Sequence, residues 1–260
     1  RCLPIRAQTI AGLIPVFAVA VADRDAIAGF PDFAQRLTWF TKHRPELLSG
    51  LSDMTARGVE GRTRLALVDT GKLARILRPV LADDALLSPH GVRSVSKRHR
   101  DHPFVLALDG RTFTLDYAPA ESTTDLFGGN SNWRGPVWFP LNYLLIEALQ
   151  KHDYGLGDGF RVECPTGSRQ EVPLWQVTTE MTRRLIAIFV RGDDGRRPVN
   201  GRREKFDCDP HWRDLVPFHE YFHGDTGEGL GASHQTGWTG VVAKLIHQYA
   251  EYALAGDGQT

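Results

Sequence analysis

Apolar residues recur at intervals of three and four along most of this chain, the spacing that places them on one face of a helix. Residues 12–22 are apolar almost all round, which predicts an inner helix packed on every side. Phe33, Leu37 and Phe40 fall on one face of a helix over 31–40, with Pro31 suited to its first turn. Leu73, Ile76, Leu77 and Leu81 repeat the pattern over 71–81. Further helices are predicted at 136–151, 172–190, 211–223 (interrupted by Pro217) and 236–255, the last with Val241, Val242, Leu245, Ile246 and Tyr249 on one face. The exception is a hairpin, with two alternating runs, 104–108 and 111–115, flanking Asp109-Gly110. Long connections rich in Gly, Pro, Asn and Arg cover 83–103, 118–135, 155–170 and 192–210, and long loops usually carry function. About seven helices, alternately buried and amphipathic, predict an all-α fold of helical hairpins around a centre. A closed toroid of paired helices needs roughly twice as many, so half a barrel is expected, with one small β-hairpin inserted.

Composition narrows the classes of partner. Lys+Arg and Asp+Glu both number 31, so net charge points neither to nucleic acid nor to an anionic membrane. No stretch reaches about 18 uninterrupted apolar residues, so no membrane span is expected. Cys2, Cys164 and Cys208 form no CxxC pair, which argues against a disulfide framework or a cysteine-built metal site and favours a reducing, cytoplasmic setting. The chain opens on Arg1 without a signal-peptide pattern, the look of a sequence cut from a longer one.

Two segments concentrate chemistry. In 127–143, Gly128 and Gly129 permit close approach to a ligand, and Trp133 and Trp138 offer flat faces suited to the C–H side of a pyranose. Asn130, Asn132, Arg134 and Asn142 supply directional hydrogen bonds to hydroxyls, with Tyr143 beside them; a helix start with core aromatics is the competing reading. The second segment, 219–239, contains His219-Glu220-Tyr221-Phe222-His223, a literal H-E-x-x-H. On a helix, that spacing would let both His bind zinc and the Glu act as general base of a metallopeptidase. Pro217 and Gly224 leave little room for such a helix, and a metzincin's third His would fall on Gly229. The alternative is Glu220 acting alone, a carboxylate before a glycine-rich loop that activates water.

Taken in order, N-W-R-G-P-V-W-F-P-L-N-Y-L followed by H-E-Y-F-x-x-x-T-G-x-G-L-G-x-x-x-Q-T-G-W-T-G resembles glycoside hydrolase family 63, the family of processing α-glucosidase I and its bacterial relatives. The likeness extends to 87–94 and 162–168 and covers most of the chain. It implies the C-terminal part of a single (α/α)6 catalytic domain over 1–260, in an inverting, exo-acting α-glycosidase with glucosidase- or mannosidase-like specificity. Glu220 corresponds to the general base. Trp133, Arg134 and Trp238 correspond to residues near the sugar pocket, and the binding set is completed by Asn132, Trp138, Asn142, Tyr143 and His234. No metal or other cofactor is expected; the partners are a carbohydrate and the rest of the same catalytic domain. The family's general acid is an Asp upstream of the region matched, and Asp23, Asp25 and Asp32 lack its surroundings. Glu121 and Asp125 are the local substitutes. A non-catalytic, carbohydrate-binding fragment is the remaining alternative.

Overall fold

The computed structural model describes residues 5–257 except 24, 50, 55, 122–132 and 235, with side chains described as far as Glu251. In chain order its elements are α1 (Ile14–Phe17), β1 (Val19–Ala22), α2 (Pro31–His43), β2 (Thr63–Ala66), α3 (Thr70–Val80), β3 (Leu87–Ser88), β4 (Gly91–Val92), β5 (Phe104–Leu108) and β6 (Arg111–Leu115). They continue with α4 (Phe139–Leu156), β7 (Arg161–Glu163), β8 (Glu171–Pro173), α5 (Leu174–Ala187), α6 (Lys205–Cys208), β9 (Tyr221–Phe222), β10 (Gly229–Leu230) and α7 (Val242–Asp257). The strands form five two-stranded antiparallel sheets.

This is a mixed α/β fold, not the expected half of an all-α toroid. Two predicted helices account for much of the difference. Residues 12–22, with Gly12 and Pro15, yield only a short 3-10 turn and one turn of α1, and the alternating Val-Ala-Val-Ala that follows is β1. Residues 211–223, preceded by Pro210 and interrupted by Pro217, are turns and extended chain that include β9. The connections expected at 83–103 and 155–170 likewise hold β3, β4 and β7. The hairpin of β5 and β6 matches its prediction in register, Leu108 pairing with Arg111. Its turn places Asp109 and Gly110 at φ 49° and 75°, the two positive values that a two-residue turn between twisted strands requires. No described helix is long and apolar enough to cross a membrane.

The chain divides into two compact units. One comprises Leu13–Leu81 and Leu144–Thr178. Its β1 and β2 pair in register from Val19–Ala66 to Ala22–Thr63, and Val19, Ala66 and Ala148 pack together with Phe17. Asp69 caps α3 by accepting the Lys72 N–H at 2.6 Å, and Leu73, Leu77 and Val80 form that helix's buried stripe. His152 is fully buried between Arg64, 3.1 Å from Nδ1, and the Val16 carbonyl, 3.2 Å from Nε2. Burial first, then the Arg64 charge, lowers its pKa to about 4, so the ring is neutral near pH 7. The helix α2 has no buried residue, and Phe33 and Trp39 on it are exposed.

The other unit comprises Arg1–Gly12, Ala82–Tyr143 and Thr179–Thr260. Its centre is a ladder made from segments far apart in sequence. Beyond β3 and β4, Arg93 bridges Val137, Val137 bridges Phe222, and Phe222 pairs with Gly229 of β10, all antiparallel. Val137 and Phe222 exchange both backbone hydrogen bonds, at 2.8 and 3.0 Å. Phe139, Phe189 and Phe222 pack edge-to-face or tilted around it, with centroids 5.3–5.9 Å apart. Leu87, Val92, Leu185, Ile188 and Leu245 are also buried in this unit.

Candidate functional site

The ladder sets the two chemistry-bearing segments side by side with residues 87–93. Glu220 leads directly into β9, and its N–H donates to the Ala232 carbonyl at 2.8 Å. The return loop after β10 comes back under the same carboxylate, where the Ala232 N–H donates to Glu220 Oε2 at 3.3 Å. Gly231 makes this approach possible. Its φ is +68°, and a Cβ there would lie 2.7 Å from Glu220 Oε2. Among the described residues, Oε1 accepts no hydrogen bond.

Aromatic rings adjoin this carboxylate-bearing strand. Trp133 stacks on Trp138 at 4.2 Å and 5°, and Trp138 stacks on Tyr221 at 4.8 Å and 25°. Trp238 tilts against Trp138 at 6.1 Å, and its Nε1–H donates to the Glu220 carbonyl at 2.9 Å. The Thr239 hydroxyl donates to the His219 carbonyl at 2.6 Å, fastening the 3-10 turn Gly237–Val241 to the same strand entry. Trp138 is 4% exposed and Trp238 42%, so Trp138 is an internal ring while Trp238 presents surface to solvent.

Behind β9 lies a charged network. Arg93, 2% exposed, donates to the Tyr117 hydroxyl at 3.0 Å and to Asp225 at 3.1 Å, and it also contacts the Leu87 carbonyl. Tyr117 donates to Asp225 at 2.9 Å, and Arg100 reaches its other oxygen at 2.9 Å. Burial alone would raise the Asp225 pKa, but the Tyr117 hydrogen bond and the Arg93, Arg100 and Lys97 cations together hold it below the ordinary carboxyl range. Burial raises the Tyr117 phenol. Asp225 thereby ties the loop after β9 to the segment carrying Arg93. Neither Asp225 nor Tyr117 was singled out by the sequence; their only signal was the proximity of Asp225 to the 219–223 motif.

The structure brings Glu220, Trp133, Trp138 and Trp238 together. Asn132 lies outside the described residues, as do Gly128, Gly129, Asn130 and Asp125. Arg134 is 3% exposed and ion-paired with Asp116. Asn142 is wholly buried and bonded within the protein: its amide oxygen accepts from Val92 N–H at 2.7 Å, and its NH2 donates to the Val92 and Trp138 carbonyls at 3.0 and 2.9 Å. Tyr143 is half-buried in the first turns of α4, and His234 is exposed on the loop before Trp238. Glu121 accepts a hydrogen bond from the Tyr221 hydroxyl at 2.7 Å, which places a second carboxylate beside the aromatic cluster.

The metallopeptidase geometry is not formed. His219 and His223 flank a strand instead of sharing a helix face, and four residues of extended chain span roughly 13 Å. His219 is 3% exposed, packed on Gly229, and burial followed by the Arg203 charge lowers its pKa to about 4. His223 Nδ1 accepts the N–H groups of Asp225 and Thr226 at 3.1 and 3.2 Å, and burial lowers its pKa. Among the described residues no three His, Cys, Asp or Glu side chains converge as a metal site.

No protein-family model matches the chain. It is 45% identical over 247 residues to the uncharacterized protein YMR196W of Saccharomyces cerevisiae, an alignment covering 94% of this chain and 22% of that protein. It is 22% identical over 181 residues, 69% of its length, to a probable mannosyl-oligosaccharide glucosidase of Schizosaccharomyces pombe, of which it spans 16%. The chain therefore spans about a fifth or less of the length of these curated relatives.

Proposed function

We propose that this chain contributes the water-activating side of the active site in an inverting, exo-acting α-glycosidase of the glycoside hydrolase family 63 type. The observation that carries the reading is the placement of Glu220, with one carboxylate oxygen accepting the Ala232 N–H and its backbone carbonyl accepting the Trp238 indole N–H. The similarity to a probable glucosidase supports it. In this mechanism Glu220 accepts a proton from water as the water oxygen bonds to the anomeric carbon. The bond from that carbon to the leaving oxygen breaks, and a carboxylic acid on the opposite face protonates the leaving oxygen. Inverting pairs stand about 6.5–9.5 Å apart, leaving room for the water. The acid comes from the rest of the catalytic domain, outside these 260 residues. Trp238 and Trp133 offer the sugar an apolar face, and Trp138 backs them from inside. The substrate is an oligosaccharide or small glycoside ending in α-linked glucose or mannose.

The test is Glu220→Gln in the full-length protein. Hydrolysis of an α-glucoside or α-mannoside should fall by about 10²–10⁴, while binding of the same sugar, followed by Trp fluorescence, persists. Near-normal turnover by the variant would overturn the assignment. Binding without turnover in the parent protein would instead favour a carbohydrate-binding role.

A further inference from the structure

A cleft of about 620 Å³ opens on the unit that carries Glu220, yet neither Glu220 nor any tryptophan lines it. Four arginines, Arg191, Arg196, Arg197 and Arg202, are among its lining residues, together with His90. Two carboxylates share the lining, and both are engaged. Asp194 accepts the Arg196 backbone N–H at 3.0 Å, and Glu228 pairs with Arg203 at 3.5 Å.

The cations are less fully compensated. Asp207, at 3.4 Å, neutralises Arg196. Arg191 donates chiefly to carbonyls, those of Gly195 and Arg213 at 2.9 and 2.7 Å, and reaches exposed Asp214 only at 3.9 Å. Arg197 donates to the Phe189 carbonyl at 3.3 Å, and its Nε is buried without a hydrogen-bond partner among the described residues. Arg202 is exposed, and its side chain makes no hydrogen bond or ion pair among them. His90 Nδ1 is likewise buried and unpartnered there. Burial, then the Arg93, His223 and Arg184 charges, lowers the His90 pKa to about 4, so at neutral pH it is an uncharged ring that can donate or accept one hydrogen bond.

Planar guanidinium forks with spare donors match phosphoryl oxygens, and several in one concavity favour a dianion over a neutral sugar. The volume is that of a small-molecule site and exceeds what one inorganic ion fills. We propose that this cleft binds a phosphoryl group borne on a small molecule the size of a hexose phosphate, with Arg197 and Arg202 as its principal ligands. The inference goes beyond the glycosidase reading and does not depend on it.

The test is calorimetric titration of the full-length protein with glucose 6-phosphate, inorganic phosphate and glucose. Glucose 6-phosphate should saturate at least about tenfold more tightly than glucose, weaken as salt is raised, and still bind the Glu220→Gln variant. Arg202→Ala, an exposed change, and Arg197→Ala should each weaken it about tenfold, whereas Arg36→Ala on exposed α2 should not. Melting curves of the variants separate lost binding from lost fold. Inorganic phosphate binding as tightly as the ester would keep the phosphoryl chemistry and reduce the ligand to the free anion. Failure of both phosphates to saturate, or affinity unmoved by both arginine changes, overturns the proposal.

Discussion

At Gly231 the backbone takes a left-handed φ directly beneath the Glu220 carboxylate, and the space for a side chain there is already filled by that carboxylate. Gly231→Ala should therefore act on the reaction more than on the fold. Strain at the position costs about 1–2 kcal/mol, and the displaced carboxylate should lower kcat about tenfold or more with a smaller change in KM, measured by steady-state hydrolysis in the full-length protein. Glu220 and the tryptophans stand out as candidates in the sequence because two motif clusters occur together in order. Arg93 and Asp225 do not. They lie 132 positions apart, and an ion pair across that separation leaves no trace in local pattern. Asn142 shows the opposite case: its residue type suits sugar recognition, and its burial with three bonds to Val92 and Trp138 is visible only in the fold.

At the scale of elements, periodicity found the helices that have room to be periodic: α2, α3, α4, α5 and α7. The sequence also marks the β5–β6 hairpin, through its five-residue strands and a turn of the right composition. Periodicity missed strands of two to four residues, because so short a strand carries too little pattern to outweigh a helical reading. It also could not say what a helix faces; α2 has the spacing of a buried helix and no buried residue. Short strands depend on side chains that hold them, and Asn142 is such a support, bonding both backbone groups of Val92 in β4 from the start of α4. Asn142→Ala should lower stability by about 2–4 kcal/mol, since it leaves buried backbone groups of β4 without partners, and urea unfolding would measure it.

At the scale of the whole molecule, three histidines, His90, His152 and His219, are held near pKa 4 chiefly by burial. The ordinary value is 6.5, so the unfolded chain takes up protons over a range where the folded chain resists them. Their neutral burial is thus fully compatible with stability above about pH 6.5, and stability is lost as pH falls from there towards 4. Melting temperature should drop steadily between pH 7 and pH 4.5, with Asp225 extending the loss to lower pH as its carboxylate is titrated. A flat profile across that window would contradict the burial of these rings. The mixed fold was not legible at this scale, since counting helices says nothing of a sheet assembled one residue at a time.

That assembly has a consequence for exchange with solvent. The amide hydrogens of Arg93, Ser94, Val137, Phe222 and His223 each bond to a carbonyl of the ladder or its flanks, the partners being Leu86, Pro136, Phe222, Val137 and Glu228. Val137 cannot open by fraying from a hairpin end, because it is held on both sides by segments from elsewhere in the chain. In deuterium oxide these five amides should exchange together, through one shared opening whose free energy falls in parallel as dilute denaturant is added, while the β5–β6 hairpin amides exchange earlier. The three segments of the ladder would then behave as one cooperative unit, although Arg93 and His223 lie far apart in the chain.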